Sequence, residues 1–358
     1  MNFGGLKFGL IVGTIIAIFL YFFVLEREAP AQEPVSASIA QNAGAAAPAL
    51  TFPAKCRIGE ACWYMAYVDL DAGARYHDHM CGIRTYDAHK GTDIATSDES
   101  IGTVDIVAAA DGKVIGTRDG LIDTPMRDND PTREATMCGN GVRIDHGGGW
   151  TTQYCHMARN SVAVRKGATV AAGTVLGRIG SSGWSETAHL NFQLEKDGVP
   201  VDPFTSQRPA EGAQCTPSRG REMTLWRDPA TANANFYRPV HIRRVGLTTD
   251  VPERRTAKFE GYPAAAKTDA EALVAYVVLF GAPKGARIAF EIEGPAGEDI
   301  FANTRVLEQG RAEFFAYSGT KRKSLRWPPG VYTARVEVTA DGPDGPFSTA
   351  ASADLILR

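Results

Sequence analysis

The chain has 358 residues and a formal net charge of −3, with the composition of an ordinary globular protein rather than a disordered one. This length is enough for about two domains, each with its own core. The near-neutral charge argues against a nucleic-acid partner, which requires a concentrated basic surface, and no run of Lys and Arg is interleaved with aromatic residues.

The N-terminus carries an uncharged apolar run from Phe8 to Leu25, "FGLIVGTIIAIFLYFFVL". A run of this length spans a bilayer as a helix, so residues 1–28 are predicted to be a signal anchor, that is, a transmembrane helix. A cleaved signal peptide is the alternative, because "APA" at residues 29–31 offers small residues for cleavage. Under either interpretation the chain is exported. We predict a single-pass protein of the cell membrane with its bulk in the periplasm or facing the cell wall.

All the cysteines follow the apolar run, and their number is even. In an exported protein such a set predicts disulfides, although six cysteines allow fifteen pairings. Alternation along "TTQYCHMA" places Tyr154 and His156 on one face and Cys155 on the other, which leaves Cys155 free to pair with Cys138 across a hairpin. The six are Cys56, Cys62, Cys81, Cys138, Cys155 and Cys215.

Composition divides the rest of the chain into three parts. Residues 29–51 are rich in Ala and Pro, which predicts a flexible linker. Residues 52–226 show short apolar runs broken by glycine, which predicts antiparallel strands joined by tight turns such as "DG" at 111–112 and "GGG" at 147–149. Residues 232–358 show alternating strands at the spacing of a β-sandwich, predicted to be immunoglobulin-like. The predicted fold class is therefore all-β.

Three of the seven histidines lie in separate segments of the first β domain whose neighbouring residues suggest a common site. In "AHKGTDIA", His89 and Asp93 are separated by a glycine that lets the backbone bend, and an imidazole nitrogen with a carboxylate oxygen suits Zn²⁺. The second segment contains His156. In the third, "AHLNFQL", His189 and Asn191 share one face of a strand while apolar residues fill the other.

Together these segments resemble the lysostaphin-type zinc metalloendopeptidases, which cut peptides of bacterial peptidoglycan. The resemblance runs in order over residues 79–205 and includes "HKGTDIA", "GNGVRIDHGGGWTTQYCHM", "VRKGATVAAGTVLGRIGSSG", "AHLNFQL" and "DGVPVDPF". It implies that His89 and Asp93 are zinc ligands and that Asn191 stands at the third ligand position, where the family has His. It also implies that His156 and His189 are the catalytic histidines, which move a proton and stabilise charge on the tetrahedral intermediate.

Asn191 leaves three interpretations open, because an amide oxygen is a poorer zinc donor than an imidazole nitrogen. It binds zinc weakly through its oxygen, or it is replaced by His77 or His79, which share a face in "YHDHM", or the site is metal-free. His146, at a hairpin turn, is expected to be solvated, and no role is predicted for His241.

The predicted function is hydrolysis of peptide bonds in peptidoglycan by a membrane-anchored metalloendopeptidase with Zn²⁺ as cofactor. The alternative is a non-catalytic family member that binds peptidoglycan or regulates a cell-wall hydrolase. A third hypothesis is a structural envelope protein that acts through its sandwich. The predicted partners are the peptidoglycan peptide, the membrane through the N-terminal helix, and another envelope protein through the C-terminal sandwich, with no nucleic acid.

Overall fold

The computed structural model describes residues 46–97, 99–124, 133–212, 214–217, 224–228 and 237–358. The predicted signal anchor and most of the predicted linker lie outside these ranges. Within them, no helix combines the length and the hydropathy needed to cross a bilayer. The described part consists of β-sheets, nearly all of them antiparallel, and two short helices, α1 (Arg133–Thr136) and α2 (Arg254–Phe259). This confirms the all-β prediction.

The first β domain is organised around one long sheet and a small one. The strands of the domain are β1 (Cys62–Ala66), β2 (Thr92–Thr96), β3 (Asp105–Val107), β4 (Gly112–Arg118), β5 (Asn140–Gly147), β6 (Trp150–Met157), β7 (Thr169–Val170), β8 (Val175–Arg178), β9 (His189–Lys196) and β10 (Val199–Pro200). The long sheet has the order β1-β2-β9-β6-β5-β4-β7 with β10 beside β9, and β3 pairs with β8. The strands β2, β9 and β6 therefore bring the histidine segments side by side.

Alternation along β9 explains which face of the sheet is the core. Leu190, Phe192 and Leu194 are at most 1 % exposed and join the hydrophobic core of this domain. Trp226 packs against Phe192 from the other end of the domain, with ring centroids 5.7 Å apart. The opposite face of β9 is thereby left for His189 and its polar neighbours.

The β5–β6 hairpin turns at glycines 147–149, as predicted. All three have positive φ, between 57° and 82°, a backbone region that glycine adopts without strain. His146 at this turn was expected to be solvated, but it is half-buried and both ring nitrogens have partners. Its Nδ1 lies 2.7 Å from Asp111 O, just before β4, and its Nε2 lies 2.8 Å from Thr152 Oγ1 of β6.

The six cysteines form three disulfides, Cys56–Cys62, Cys81–Cys215 and Cys138–Cys155. The prediction that the cysteines are disulfide-bonded is confirmed, including the pairing across the β5–β6 hairpin. The second bridge joins residues 134 positions apart, so it restricts the unfolded chain most. It ties the segment before the candidate site to the end of the first β domain.

The C-terminal region is a β-sandwich of two sheets. Its strands are β11 (His241–Thr248), β12 (Ala265–Ala266), β13 (Ala272–Ala282), β14 (Arg287–Glu293), β15 (Asp299–Val306), β16 (Arg311–Lys321), β17 (Gly330–Gly342) and β18 (Gly345–Leu357). One sheet has the order β11-β13-β16 and the other β12-β18-β17-β14-β15. Leu279 of the first sheet and Phe290 and Val336 of the second are fully buried in one shared core, so the sheets pack face to face.

The two β domains belong to one compact unit and contact each other closely. The Trp63 and His241 rings stack with centroids 3.6 Å apart, and Arg243 Nε donates to Glu99 Oε1 at 2.7 Å. Burial, together with nearby arginines, lowers the pKa of His241 to about 3. His241, for which no role was predicted, is thus a neutral ring in the interdomain contact.

The predicted linker ends before residue 51. Leu50 is fully buried, its N–H donates to Leu225 O at 2.6 Å, and Arg227 N–H donates back to Leu50 O at 2.7 Å. The end of the Ala/Pro-rich stretch is therefore attached to the first β domain through both the side chain and the backbone of Leu50.

Candidate active site

Neighbouring strands bring the predicted site residues together. β2 and β9 pair with Asp93 opposite Asn191, and β9 pairs on its other edge with β6, where Cys155 is opposite Asn191. Residues directly opposite in paired strands point to the same face, so the Asp93 and Asn191 side chains meet. His89 arrives just before β2, and His156 follows Cys155 on β6.

All five predicted residues lie in one cluster. Asp93 Oδ1 is 3.3 Å from His89 Nε2 and 3.6 Å from His189 Nε2. Asn191 Nδ2 donates to Asp93 Oδ1 at 2.7 Å and to His89 Nε2 at 3.0 Å. The His156 ring joins through His189, with centroids 4.6 Å apart. The four residues other than Asn191 are buried.

Gly91 makes room for the Asn191 side chain. A Cβ atom at Gly91 would lie 2.7 Å from Asn191 Nδ2 and 2.8 Å from its Oδ1, closer than non-bonded atoms approach. The motif glycine therefore does more than bend the backbone between His89 and Asp93. It lets the amide lie against both of them.

His89 is held in one tautomer and one orientation. Its Nδ1–H donates to Tyr67 O at 2.7 Å, so Nε2 is an acceptor whenever the ring is neutral. The preceding Ala88 has a φ of 60°, and its N–H donates to Asp69 Oδ2 at 3.0 Å, which holds this unusual turn in place. The Tyr86 ring stacks on the imidazole at 4.3 Å.

His156 reaches the cluster because its backbone leaves the strand conformation, with a φ of 63°. The prediction that Tyr154 and His156 share a face is therefore wrong. Tyr154 packs on Phe192 in the core, whereas the His156 ring packs on His189. The left-handed residue redirects the side chain across the sheet. His156 Nδ1–H donates to Ser182 O at 2.8 Å, which leaves Nε2 as an acceptor.

A loop to which the sequence analysis assigned no role contacts both His156 and His189, the two predicted catalytic histidines. This site loop comprises residues 181–187, "SSGWSET". His189 Nδ1 lies 2.8 Å from Thr187 O and 3.2 Å from Ser185 Oγ, and another carbonyl of the loop accepts from His156. The only signal in the sequence is the row of short polar residues before the strand, since such side chains bond to nearby backbone groups.

The site loop also contacts the sandwich. Lys258 on α2 forms ion pairs with Glu186 of the loop and with Glu313 of β16, and its side chain is 5 % exposed. Glu186 lies between the two loop residues that contact the Nδ1 of His189. The sandwich therefore touches the segment that orients this histidine.

Burial and charge together set the protonation of the cluster. Burial opposes ionisation of Asp93, but the facing rings of His89 and His189 outweigh it and hold the pKa of this carboxyl below its usual range. Burial also favours a neutral His89, yet the charge of Asp93 raises the pKa of the ring above its ordinary value. Burial, reinforced by His189, lowers the pKa of His156 to about 3. His156 is therefore a neutral ring at physiological pH.

Two of the three positions at the predicted metal site fit Zn²⁺, and the third does not. His89 Nε2 and Asp93 Oδ1 are zinc-type donors that face one point. That point is taken by the NH₂ group of Asn191, whose two hydrogens satisfy both acceptors. Rotating the amide by 180° would place its oxygen next to the Asp93 carboxylate oxygen. The two oxygens would then repel each other, because no proton lies between them. In the described ranges, no group of three or more His, Cys, Asp or Glu side chains is arranged to hold a metal ion.

His77 and His79 do not take the place of the missing ligand. His79 stacks on Phe204 with centroids 4.8 Å apart, and its Nδ1 lies 3.9 Å from Asp202 Oδ2. His77 Nδ1 contacts Asp78 O at 3.2 Å. Among the described contacts, neither imidazole reaches His89, Asp93 or Asn191.

Residues 87–203 match the model of peptidase family M23 and belong to this lysostaphin-type family. The match covers the whole cluster and ends before the sandwich. Over 121 residues the chain is 32 % identical to the peptidoglycan DD-endopeptidase ShyA of Vibrio cholerae. This alignment covers 34 % of this chain and 23 % of that relative. The chain is 37 % identical over 71 residues to the DD-carboxypeptidase/endopeptidase Mpg of Neisseria meningitidis, which covers 20 % of this chain and 16 % of that relative.

The chain thus spans less than a quarter of the length of these curated relatives. Among solved structures, a zinc-containing peptidase from Vibrio cholerae aligns with 43 % of this chain and 39 % of its own, at 25 % identity and a TM-score of 0.31.

Proposed function

We propose that this protein is a cell-wall peptidase that hydrolyses a peptide bond in the peptide part of peptidoglycan. The observation that carries the proposal is the convergence of His89, Asp93, His156 and His189 in one buried cluster on three neighbouring structural segments. The names of two relatives, a peptidoglycan DD-endopeptidase and a DD-carboxypeptidase/endopeptidase, support the substrate class.

The two histidines that the site loop orients would carry the proton transfers. His156 is neutral and offers Nε2, so it can accept a proton as a water oxygen bonds to the scissile carbonyl carbon. That proton then passes to the leaving nitrogen as the carbon–nitrogen bond breaks. The His189 Nε2 lies toward the same point, within 3.6 Å of Asp93, and can stabilise charge on the intermediate.

The proposal includes Zn²⁺ only as a weakly bound ion. His89 and Asp93 would supply two ligands, and Asn191 donates hydrogens where the family supplies a third. We infer that zinc held here binds more weakly than at a three-ligand site, and no step above depends on it.

A second function is favoured by the Asn191 contact itself. The amide satisfies both metal-binding atoms with hydrogen bonds, so the cluster is stable without a cation. Such a site suits a non-catalytic family member that binds peptidoglycan or regulates a cell-wall hydrolase.

One experiment separates the two functions. Purified cross-linked peptidoglycan is incubated with the full chain, with Asn191→His and with His189→Ala, and released peptides are identified by mass spectrometry. Release by the natural protein that His189→Ala abolishes supports the peptidase. Release by Asn191→His alone, with co-sedimentation of the natural protein and peptidoglycan, supports the non-catalytic member.

We further propose that residues 1–28 anchor the chain in the cell membrane, with its bulk on the extracytoplasmic side. The apolar run from Phe8 to Leu25 supports this, as do three disulfides, which persist in oxidising compartments. Protease accessibility of the sandwich in intact spheroplasts tests it, since a cytoplasmic sandwich would be protected.

The sandwich is proposed to be immunoglobulin-like and to contact another envelope protein. Its support is two sheets of three and five strands around one core, antiparallel except where β12 pairs with β18. Cross-linking in intact cells, compared with a chain lacking residues 238–358, tests the contact.

A further inference from the structure

A basic loop with an apolar tip projects from one end of the sandwich. It comprises residues 321–327, "KRKSLRW", between β16 and β17. Leu325 is 87 % exposed, more than any other large apolar side chain in the described ranges. Single exposed leucines are common, but this one stands among four cations and no carboxylate in its own loop.

The basic loop is held in place by the sandwich beneath it. Trp327 is buried, and its N–H and Nε1–H donate to Thr268 O at 2.8 Å and Ala270 O at 3.0 Å. Arg322 N–H donates to Glu271 O at 2.8 Å. Leu325 is therefore presented to solvent by an ordered loop, so little conformational entropy remains to be lost when the loop binds a partner.

The cations of the basic loop lack partners within the sandwich. No ion pair joins Lys321, Arg322, Lys323 or Arg326 to any carboxylate that the structure describes. The adjoining segment 267–271 carries one cation and two carboxylates, and the β14–β15 turn, whose Pro295 lies beside Gly330, adds Glu293 and Glu298, so the excess of cations is confined to the basic loop itself. The rest of the chain is net negative, so the charge is local.

More apolar surface continues from the loop into the sheet. β17 begins just after the loop, and its Val331 lies directly opposite Ile356 of β18. These two side chains point outward and are 46 % and 45 % exposed. The basic loop and this pair, taken together, form a surface that combines cations with exposed aliphatic groups.

We propose that this end of the sandwich binds an anionic lipid surface. Lysines and arginines around an exposed aliphatic tip match a headgroup layer, where the charges meet phosphates and the tip enters the acyl boundary. Nucleic acid fits less well, because bases are bound by exposed aromatic rings and the only aromatic residue of the loop is buried. The proposal depends neither on peptidase activity nor on the N-terminal apolar run.

The test is hydrogen exchange of the full chain added to phosphatidylcholine vesicles with and without phosphatidylglycerol. Exchange of amides 321–327 is expected to slow on the anionic vesicles alone and to recover in high salt. Each Lys or Arg near such a surface contributes about a factor of five in affinity. The variant Lys321→Gln/Lys323→Gln should therefore lose about twentyfold or more, and Leu325→Ser should also lose protection.

The matched control is Lys284→Gln/Arg287→Gln, which removes the same charge from exposed positions at the start of β14. It should keep the protection, which would show that the position of the cations matters. Leu325 is too exposed for its replacement to unfold the sandwich. Equal protection on neutral vesicles, no protection on either vesicle, protection only by duplex DNA, or equal loss in the control variant would each overturn the proposal.

Discussion

The two β domains bury different kinds of side chain. The core of the sandwich is almost wholly apolar, and few polar side chains described after residue 237 are buried, namely those of Thr248, Lys258 and Arg243. The first β domain buries many polar groups, among them Asp93, Asn140 and Ser182. Since burying polar groups without partners is costly, the first domain surrounds its cluster with hydrogen bonds. The sandwich is thus held by apolar packing, whereas the first β domain buries a hydrogen-bonded polar cluster.

The largest change in the free energy of unfolding should follow the removal of a core side chain from the sandwich. Phe290 is fully buried between the two sheets. Phe290→Ala is expected to lower the free energy of unfolding by about 3–5 kcal/mol, because it leaves a cavity in an apolar core. Urea unfolding followed by circular dichroism measures it. Val306→Ala, at a side chain 54 % exposed, is the control and should change stability little.

Asn191→His tests whether the first domain has given up a metal ion for a hydrogen-bond network. A third imidazole should raise Zn²⁺ affinity about 100-fold or more, since even changes outside the ligand sphere cost tenfold or more. Isothermal titration of the metal-stripped full chain with zinc measures the change. His89→Ala in the same background should reverse it, and a natural protein that already binds zinc as tightly would contradict the expectation.

Acid should weaken the contact between the two domains through His241. Its pKa of about 3 in the folded protein lies below the value of about 6.5 in an unfolded chain, so the folded state disfavours protonation. The stability contribution is present above pH 6.5 and is lost as the pH falls toward 3. Between pH 6.5 and 4.5 the loss should reach at most about 2 kcal/mol.

The control for this pH effect is His241→Phe, which keeps a ring against Trp63 and cannot be protonated. Chemical unfolding at several pH values should give a shallower decline for this variant than for the natural protein. Parallel pH profiles would show that the contact does not titrate.

The smallest effect concerns the link between Lys258 and the site loop. Lys258→Met leaves Glu186 without its buried partner. The free energy needed to open the site loop should therefore fall by about 1 kcal/mol. Hydrogen exchange of amides 183–187 measures this opening. Arg254→Met is the matched control, because Arg254 pairs with Glu313 and not with Glu186. Equal exchange in the two variants would show that the link does not hold the loop.

Much of the fold could be predicted because its signals are local. Alternating apolar residues predict β9 and β13, glycines at 147–149 predict the β5–β6 turn, and the Cys138–Cys155 pair follows from that hairpin. Leu50 was missed because its partners, Leu225 and Trp226, lie at the far end of the domain. No local pattern records such a contact.

The candidate site divides in the same way. His89, Asp93 and Asn191 are brought together by strand pairing that their motifs indicate. The orientation of His156 could not be predicted, because alternation fails at a residue with positive φ whose conformation is held by the bond to Ser182 O. Lys258 was missed for a different reason. A lysine on a short helix in another domain gives no sign of the distant loop that it contacts.

The bridge between Leu50 and Trp226 has a consequence for engineering. The first domain begins and ends on two segments that run side by side and exchange hydrogen bonds. A connection of several residues could join these ends, because the two segments are parallel, so new termini could be opened in an exposed turn such as Lys166–Gly167. The domain could therefore be inserted into a surface loop of another protein, provided that the two ends of that loop are as close together as two neighbouring strands.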